Sequence, residues 1–133
     1  MRILLVEDDD ALRSLLTQRL RAEQYAVDVA IDGHQGWDYA STYEYDLLIL
    51  DVVLPKLDGV TLCKTLRNQN YALPILLLTA QNTRDAKRIG WEAGADDYFL
   101  KPYRTDSFLT LVQLYLKPEQ AKSEQLRFAN LTL

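Results

Sequence analysis

Glu7, Asp8, Asp51, Thr79 and Lys101 are residue types that do chemistry, and four short apolar runs lead into them. The runs read ILLV before Glu7, LLIL before Asp51, ILLL before Thr79 and YFL before Lys101. An unbroken apolar run ended by turn residues fits a strand covered on both faces. If these strands are parallel neighbours, all five side chains emerge at one rim. Carboxylates gathered there repel, and a pair 4 Å apart costs about 4 kcal/mol at an effective dielectric of 20. A cation must offset that. All-oxygen ligands favour a hard ion such as Mg²⁺, and Lys101 adds a fixed positive charge. Phosphoryl transfer needs in-line positioning and charge neutralisation more than covalent help. A carboxylate nucleophile in such a pocket gives an acyl phosphate. Thr79 offers a hydroxyl that could bond a phosphoryl oxygen.

The chain also carries the elements needed to bring those residues together. Arg2 to Val6 reads as a first strand stopping in an acidic cluster. Leu12, Leu15, Leu16 and Leu20 recur at helical spacing, which predicts a helix over about 10–23, capped by Asp9 or Asp10. Tyr25 to Ala30 reads as a second strand, and Trp37 and Ala40 mark a short helix after Gly33. The Asp46–Leu50 strand follows, with Pro55 and Gly59 bracketing an irregular loop. Val60, Leu62, Cys63 and Leu66 mark a third helix, and Pro74 opens a fourth strand at Ile75–Leu78. Ala86, Ile89 and Ala93 line a fourth helix that Gly94 stops. A fifth strand spans Asp97–Leu100, and Thr105 caps a last helix to about Leu116. Regular alternation predicts an α/β fold: a doubly wound, parallel five-stranded sheet with helices on both faces. Right-handed crossovers and the crevice argument favour the flavodoxin-like order 2-1-3-4-5.

Composition narrows the function. The 133 residues are one domain with room for an appendage, and the formal net charge is −4. A nucleic-acid grip would need a basic surface. Cys63 is the only cysteine, so an internal disulfide is excluded, which fits a reducing cytoplasm. No apolar stretch approaches the roughly 20 residues of a membrane span. Residues 1–10 turn acidic too early for a signal peptide. His34 reads as a surface residue, Cys63 as core and Trp37 as packing. Residues 117–125, KPEQAKSEQ, read as a linker, and residues 126–133, LRFANLTL, as the first strand of another domain.

The motifs ILLVEDD, LLILDVVLPKLDG, LLLTA and AGADDYFLKPY together resemble a response-regulator receiver (CheY-like) domain, most like the OmpR/PhoB transcription-factor class. The resemblance covers residues 1–116. It implies a two-component switch, not a classical enzyme: Asp51 accepts phosphate from a sensor histidine kinase. It implies that Mg²⁺ is held by Asp8, Asp51 and the Val53 carbonyl, with Glu7 acting largely through water. Thr79, Ala80 and Lys101 would hold the phosphoryl group, and Tyr98 would be the aromatic that turns inward when Thr79 moves. The Lys101–Pro102 bond would be cis. LRFANLTL would open a winged-helix domain through which alone the protein meets DNA. Rival readings are a pseudo-receiver that is never phosphorylated, a haloacid-dehalogenase-like phosphatase and a flavodoxin-type carrier. The phosphatase needs a second acid where Val53 stands, and the flavin carrier needs a hydroxyl- and glycine-rich loop.

The resemblance also exposes departures. The face of the fourth helix, fifth strand and last helix normally dimerises through charged pairs. Here Ser107, Leu111 and Gln113 stand where acid and arginines are usual, and Arg88 and Trp91 where aliphatics are usual. Lys87, Asp96 and Asp97 keep part of the charged set. The last helix is apolar nearly all round, from Phe108 to Tyr115 and Leu116, so a dimer or interdomain contact that is hydrophobic rather than ion-paired is expected on this face. The competing expectation is that these residues cover the domain's own core. Val53 cannot orient a hydrolytic water, so the acyl phosphate should be fairly long-lived. A phosphate-release assay showing a lifetime of seconds would contradict this.

Overall fold

The computed structural model describes residues 1–80, 83–101 and 105–116. Pro102, the 117–125 linker and the 126–133 strand lie outside the described residues. Five strands alternate with five helices: β1 (Arg2–Val6), α1 (Asp10–Ala22), β2 (Ala26–Ala30), α2 (Gly33–Thr42), β3 (Leu47–Asp51), α3 (Gly59–Asn68), β4 (Ile75–Thr79), α4 (Arg84–Glu92), β5 (Asp97–Leu100) and α5 (Thr105–Tyr115). All strand pairs are parallel, in the order β2-β1-β3-β4-β5. This is the doubly wound fold that the alternation predicted. Two strand ends differ from the sequence reading, because Asp51 and Thr79 still pair, with Leu78 and Leu100.

The sheet is buried on both sides, which is why its strands read as continuous apolar runs. Side chains alternate between two cores. Leu4, Val6, Leu48, Leu50, Ile75 and Leu77 pack with Leu62, Cys63 and Leu66 of α3 and Ala40 of α2. Ile3, Leu5, Leu47, Ile49, Leu76 and Leu78 pack with Leu16 and Leu20 of α1 and with Phe108, Val112 and Leu116 at α5. Cys63 is therefore core, as read, and its thiol faces the Ala93 carbonyl at 3.4 Å. Trp37 is half-buried and meets Tyr71 edge-on at 6.4 Å, while His34 is exposed.

The apolar surplus of α5 goes mostly into this second core. Phe108, Val112 and Leu116 are buried, and Leu109, Leu111 and Tyr115 pack against them. Only Leu114 is prominently exposed among the large apolar residues of the helix. The expectation that the helix covers its own domain accounts for most of its composition. Thr105, expected as the cap, is the first residue of the helix instead.

Helix starts follow local polar chemistry. Asp9, Asp32, Asp58 and Thr83 each accept a backbone N–H from three residues on, at 2.8–3.0 Å. At the opposite pole Arg67 gathers four partners. Its guanidinium donates to the carbonyls of Gly94, Tyr71 and Leu73 at 2.7–2.8 Å and to Asp96 Oδ2 at 2.7 Å. Gly94, just past α4, has φ +98°, a conformation open to glycine, and a Cβ there would strike the Arg67 side chain at 2.7 Å.

Two glycines fix the loop that follows β3. The Gly33 N–H donates to Pro55 O at 3.2 Å and the Gly59 N–H to Val52 O at 2.9 Å. A Cβ on Gly33 would lie 1.7 Å from the Leu57 carbonyl oxygen, and one on Gly59 would lie 2.0 Å from that of Asp51. Backbone, not a flexible side chain, blocks both. Gly59→Ala should therefore destabilise the domain by about 2 kcal/mol or more, since overpacking against backbone has no cheap relief. Urea denaturation checks it; an unchanged midpoint would contradict the close approach.

Candidate functional site

The five residues singled out by type meet at the C-terminal rim of the sheet. Glu7 follows β1, Asp51 and Thr79 close β3 and β4, and Lys101 follows β5. Glu7, Asp51 and Thr79 are buried, Asp8 is exposed, and Lys101 is partly exposed. The Lys101 ammonium lies 2.7 Å from Asp51 Oδ2 and 2.9 Å from Glu7 Oε1. Its contact with Asp51 is a hydrogen bond, whereas its approach to Glu7 is a close ion pair outside hydrogen-bond geometry. Asp51 Oδ1 accepts the Val53 N–H at 3.2 Å, so both oxygens of that carboxylate are engaged. The Lys101 N–H donates to Thr79 O at 2.7 Å, tying the lysine to the end of β4.

The loop between Asp51 and α3 is shaped by its clamps. Lys56 has φ +70°, and its ammonium lies 3.6 Å from Asp32, the α2 cap. Val53 is 72% exposed, so its backbone rather than its side chain bears on the pocket. Ala80 follows β4 and is exposed.

Electrostatics in the pocket are uneven. Burial pushes the Glu7 carboxyl up to about 8, the hydrogen bond and charge of Asp51 push the same way, and Lys101 opposes. Burial alone would lower the Lys101 ammonium, but its contacts with Asp51 and Glu7 prevail and raise it. Lys101 is thus held charged, while the charged form of Glu7 is disfavoured by its burial and by Asp51. Sequence reasoning put Glu7 at the rim of the sheet without showing its burial; in the fold it is fully buried.

A divalent cation fits this set. Glu7, Asp8 and Asp51 each offer an oxygen, all within 4.8 Å of one another. Ligands of one octahedral Mg²⁺ at about 2.1 Å lie roughly 3–4 Å apart, so a small contraction suffices. Glu7 Oε1 is buried without a hydrogen bond, which leaves a lone pair for a cation or its water. The donors are all hard oxygens, which suit magnesium better than a soft metal.

One contributor escaped the sequence reading. Arg13 of α1 donates to Glu7 O at 3.0 Å and to Asp8 O at 3.4 Å, holding the backbone of the acidic turn, and also pairs with Asp10. Its only sequence signal is its place one turn into a helix that follows an acidic strand end. Arg67, at the opposite pole of the sheet, escaped that reading too, and three of its four partners are carbonyls that leave no mark in sequence.

The residues expected at a dimer face divide into two groups. Lys87, Arg88 and Trp91 are exposed on α4. Asp96 is taken by Arg67 and by the Ile75 N–H, at 2.7 and 2.8 Å. Asp97 accepts the Tyr98 N–H and the Tyr115 hydroxyl, each at 2.8 Å. Leu111 is half-buried. Tyr98 is half-buried in β5 and borders, with Thr79, Gly90 and Ala86, a cavity of about 80 Å³.

A 2-1-3-4-5 sheet whose crevice holds acids and a lysine, not a hydroxyl-rich loop, defines a signalling receiver rather than a flavin carrier. The family model described as "Response regulator receiver domain" matches residues 3–113, and the chain belongs to that family. It is 53% identical over 117 residues to protein RcaC of Microchaete diplosiphon, covering 88% of this chain and 18% of that protein. It is 41% identical over 137 residues to response regulator MprA of Mycobacterium tuberculosis H37Rv, covering all of this chain and 60% of MprA. The chain therefore spans less than two thirds of the length of either relative. Among solved structures, the receiver domain of sensor histidine kinase PA1611 from Pseudomonas aeruginosa superposes with a TM-score of 0.81 at 30% identity. That match covers 88% of this chain and 98% of the other, which holds a magnesium ion in its active-site cleft. Among the described residues no helix is long and apolar enough to cross a membrane.

The raised Glu7 carboxyl carries a pH signature. With its folded value near 8 and its unfolded value near 4.5, the metal-free fold takes up a proton on folding between those limits. Stability from this group is complete below the unfolded value and is lost as pH rises through the folded one. Glu7→Gln, which cannot ionise, should gain on wild type as pH climbs from 5 to 8 in chelator. Urea titrations at several pH values test this; a constant difference would overturn it.

Proposed function

We propose that this chain is a phosphorylation-controlled switch of a two-component system. The observation that carries the reading is the Lys101 ammonium set between Asp51 and Glu7 in a pocket of strand tips. Asp51 is the acceptor: one of its carboxylate oxygens forms a bond to phosphorus as the nitrogen–phosphorus bond of a kinase phosphohistidine breaks. The imidazole leaves with that bond's electrons, and Asp51 becomes an acyl phosphate. Asp8, Asp51 and the Val53 carbonyl would hold Mg²⁺, with Glu7 behind them. The ion supplies charge neutralisation. Lys101 stays protonated and binds a phosphoryl oxygen, and Thr79 and the Ala80 backbone bind others. Catalysis by the chain itself is limited to gaining and losing this group.

The readout follows from the rim's connections. Thr79 and Tyr98 border one cavity, which gives the aromatic ring room to move when Thr79 is drawn toward a phosphoryl group. Moving a switch from 1:99 to 99:1 requires about 5.5 kcal/mol of differential binding. A few charge-assisted hydrogen bonds from Lys101 and Thr79 are of that order. The output is transcription control through a DNA-binding domain elsewhere in the protein, and the location is the cytoplasm. A homodimer through the face of α4, β5 and α5 would rest on Lys87, Arg88 and Trp91, because Asp96, Asp97 and Tyr115 are satisfied internally.

Incubation with acetyl phosphate and Mg²⁺ should add the mass of one phosphoryl group to wild type and none to Asp51→Asn. Intact-mass spectrometry reads it, and an unmodified wild type would instead support a phosphorylation-independent interaction module. Sedimentation with beryllofluoride and Mg²⁺ should give a dimer that Trp91→Ala weakens about tenfold, as loss of a central aromatic anchor does. A dimer indifferent to that substitution would move the interface elsewhere.

A further inference from the structure

Asp8 differs from the other two acids of the rim in how it is held. Glu7 is buried, and its N–H donates to Ala30 O at 3.0 Å. Asp51 ends a paired strand, and its carboxylate accepts the Val53 N–H and the Lys101 ammonium. The Asp8 side chain is exposed and accepts no hydrogen bond among the described residues. Its position therefore depends on the backbone of the turn between β1 and α1.

That backbone is gripped from the helix. Arg13 Nη1 donates to Glu7 O at 3.0 Å and to Asp8 O at 3.4 Å. These carbonyls belong to the two peptide units on either side of the Asp8 Cα, so one group restrains both backbone torsions of Asp8. Arg13 Nη2 pairs with Asp10, which aims the fork, and the arginine side chain is only 18% exposed. A planar guanidinium serves three acceptors in one geometry, which an ammonium does less well. Glu7, Asp8 and Asp51 offer oxygens within 4.8 Å of one another, and a single ion must draw them closer. With the turn pinned, that contraction costs side-chain freedom but little backbone freedom. Coulomb's law alone points the other way. A guanidinium beside a divalent ion repels it, and the solvent-exposed Asp10 offsets this only in part.

We propose that Arg13 is a positioning residue for the divalent cation: by holding the peptide units that flank Asp8 it raises metal affinity, although its own charge opposes the ion. This rests on the reading of the rim as a Mg²⁺ site. Arg13 touches neither the ion nor the phosphoryl group; it acts through Asp8. Its removal should therefore weaken metal binding, whereas removal of a merely repelling charge would strengthen it.

The test is a titration of ¹⁵N-labelled protein with MgCl₂ at constant ionic strength, read from the amide shifts of residues 8, 9 and 53. Arg13→Met keeps the apolar stem but loses the charge and the donors, and should weaken Mg²⁺ binding about tenfold. Arg13→Lys keeps the charge and can donate to one carbonyl, so it should recover part of the affinity and bind about threefold more weakly than wild type. Urea midpoints in chelator separate this from a purely structural role, which would lower the midpoint of Arg13→Met and leave the Mg²⁺ affinity of the folded domain unchanged. Should Arg13→Met fail to fold, the Arg13→Lys titration decides alone. Affinity unchanged or tightened in Arg13→Met, or equal to wild type in Arg13→Lys, would overturn the assignment while leaving the metal site standing. Wild type without saturable shifts at these residues would overturn the metal site and this role together.

Discussion

One ammonium group holds together two carboxylates that would otherwise push apart. Lys101 reaches from the end of β5 to Asp51 at the tip of β3 and to Glu7 beyond β1. Parallel topology makes this inevitable, because all strands end on the same side and their polar last residues converge there. The repulsion is relieved by the lysine and by the Val53 N–H on Asp51, and burial and Asp51 together raise the Glu7 carboxyl.

Much of this could be read from residues alone. The apolar runs predicted the strands because a sheet covered on both faces leaves no polar position along them. The predicted strand order places Glu7, Asp51, Thr79 and Lys101 at one rim, where the fold has them. What the sequence hid was burial and backbone partnership. Nothing in the row of acids after Val6 distinguishes the fully buried Glu7 from its exposed neighbour Asp8. Arg13 and Arg67 serve carbonyl oxygens, which every residue possesses and no pattern displays. The apolar length of α5 read first as an interface and second as core, and packing against Ile3, Leu5 and Leu76 resolved most of it toward core.

The acidic pair Asp96 and Asp97 shows how a residue can keep its type and change its employment. As a sequence feature the pair belongs to a charged interface. In the fold Arg67 and the Ile75 N–H occupy one carboxylate, and Tyr98 and Tyr115 share the other. The Tyr115 hydroxyl, whose acidity burial and Asp97 suppress, joins the end of α5 to the start of β5 beside Tyr98. Strand and helix on this face are therefore joined by more than apolar packing.

The clamped loop after β3 also constrains how the domain can be rebuilt. Gly33 and Gly59 touch loop backbone at two helix starts, so residues 52–58 are measured against two fixed points. Their number cannot change without unseating one helix or the other. Chimaeras that exchange specificity between such domains should accordingly carry residues 32–59 as one cassette, with splice points placed at the distal turns.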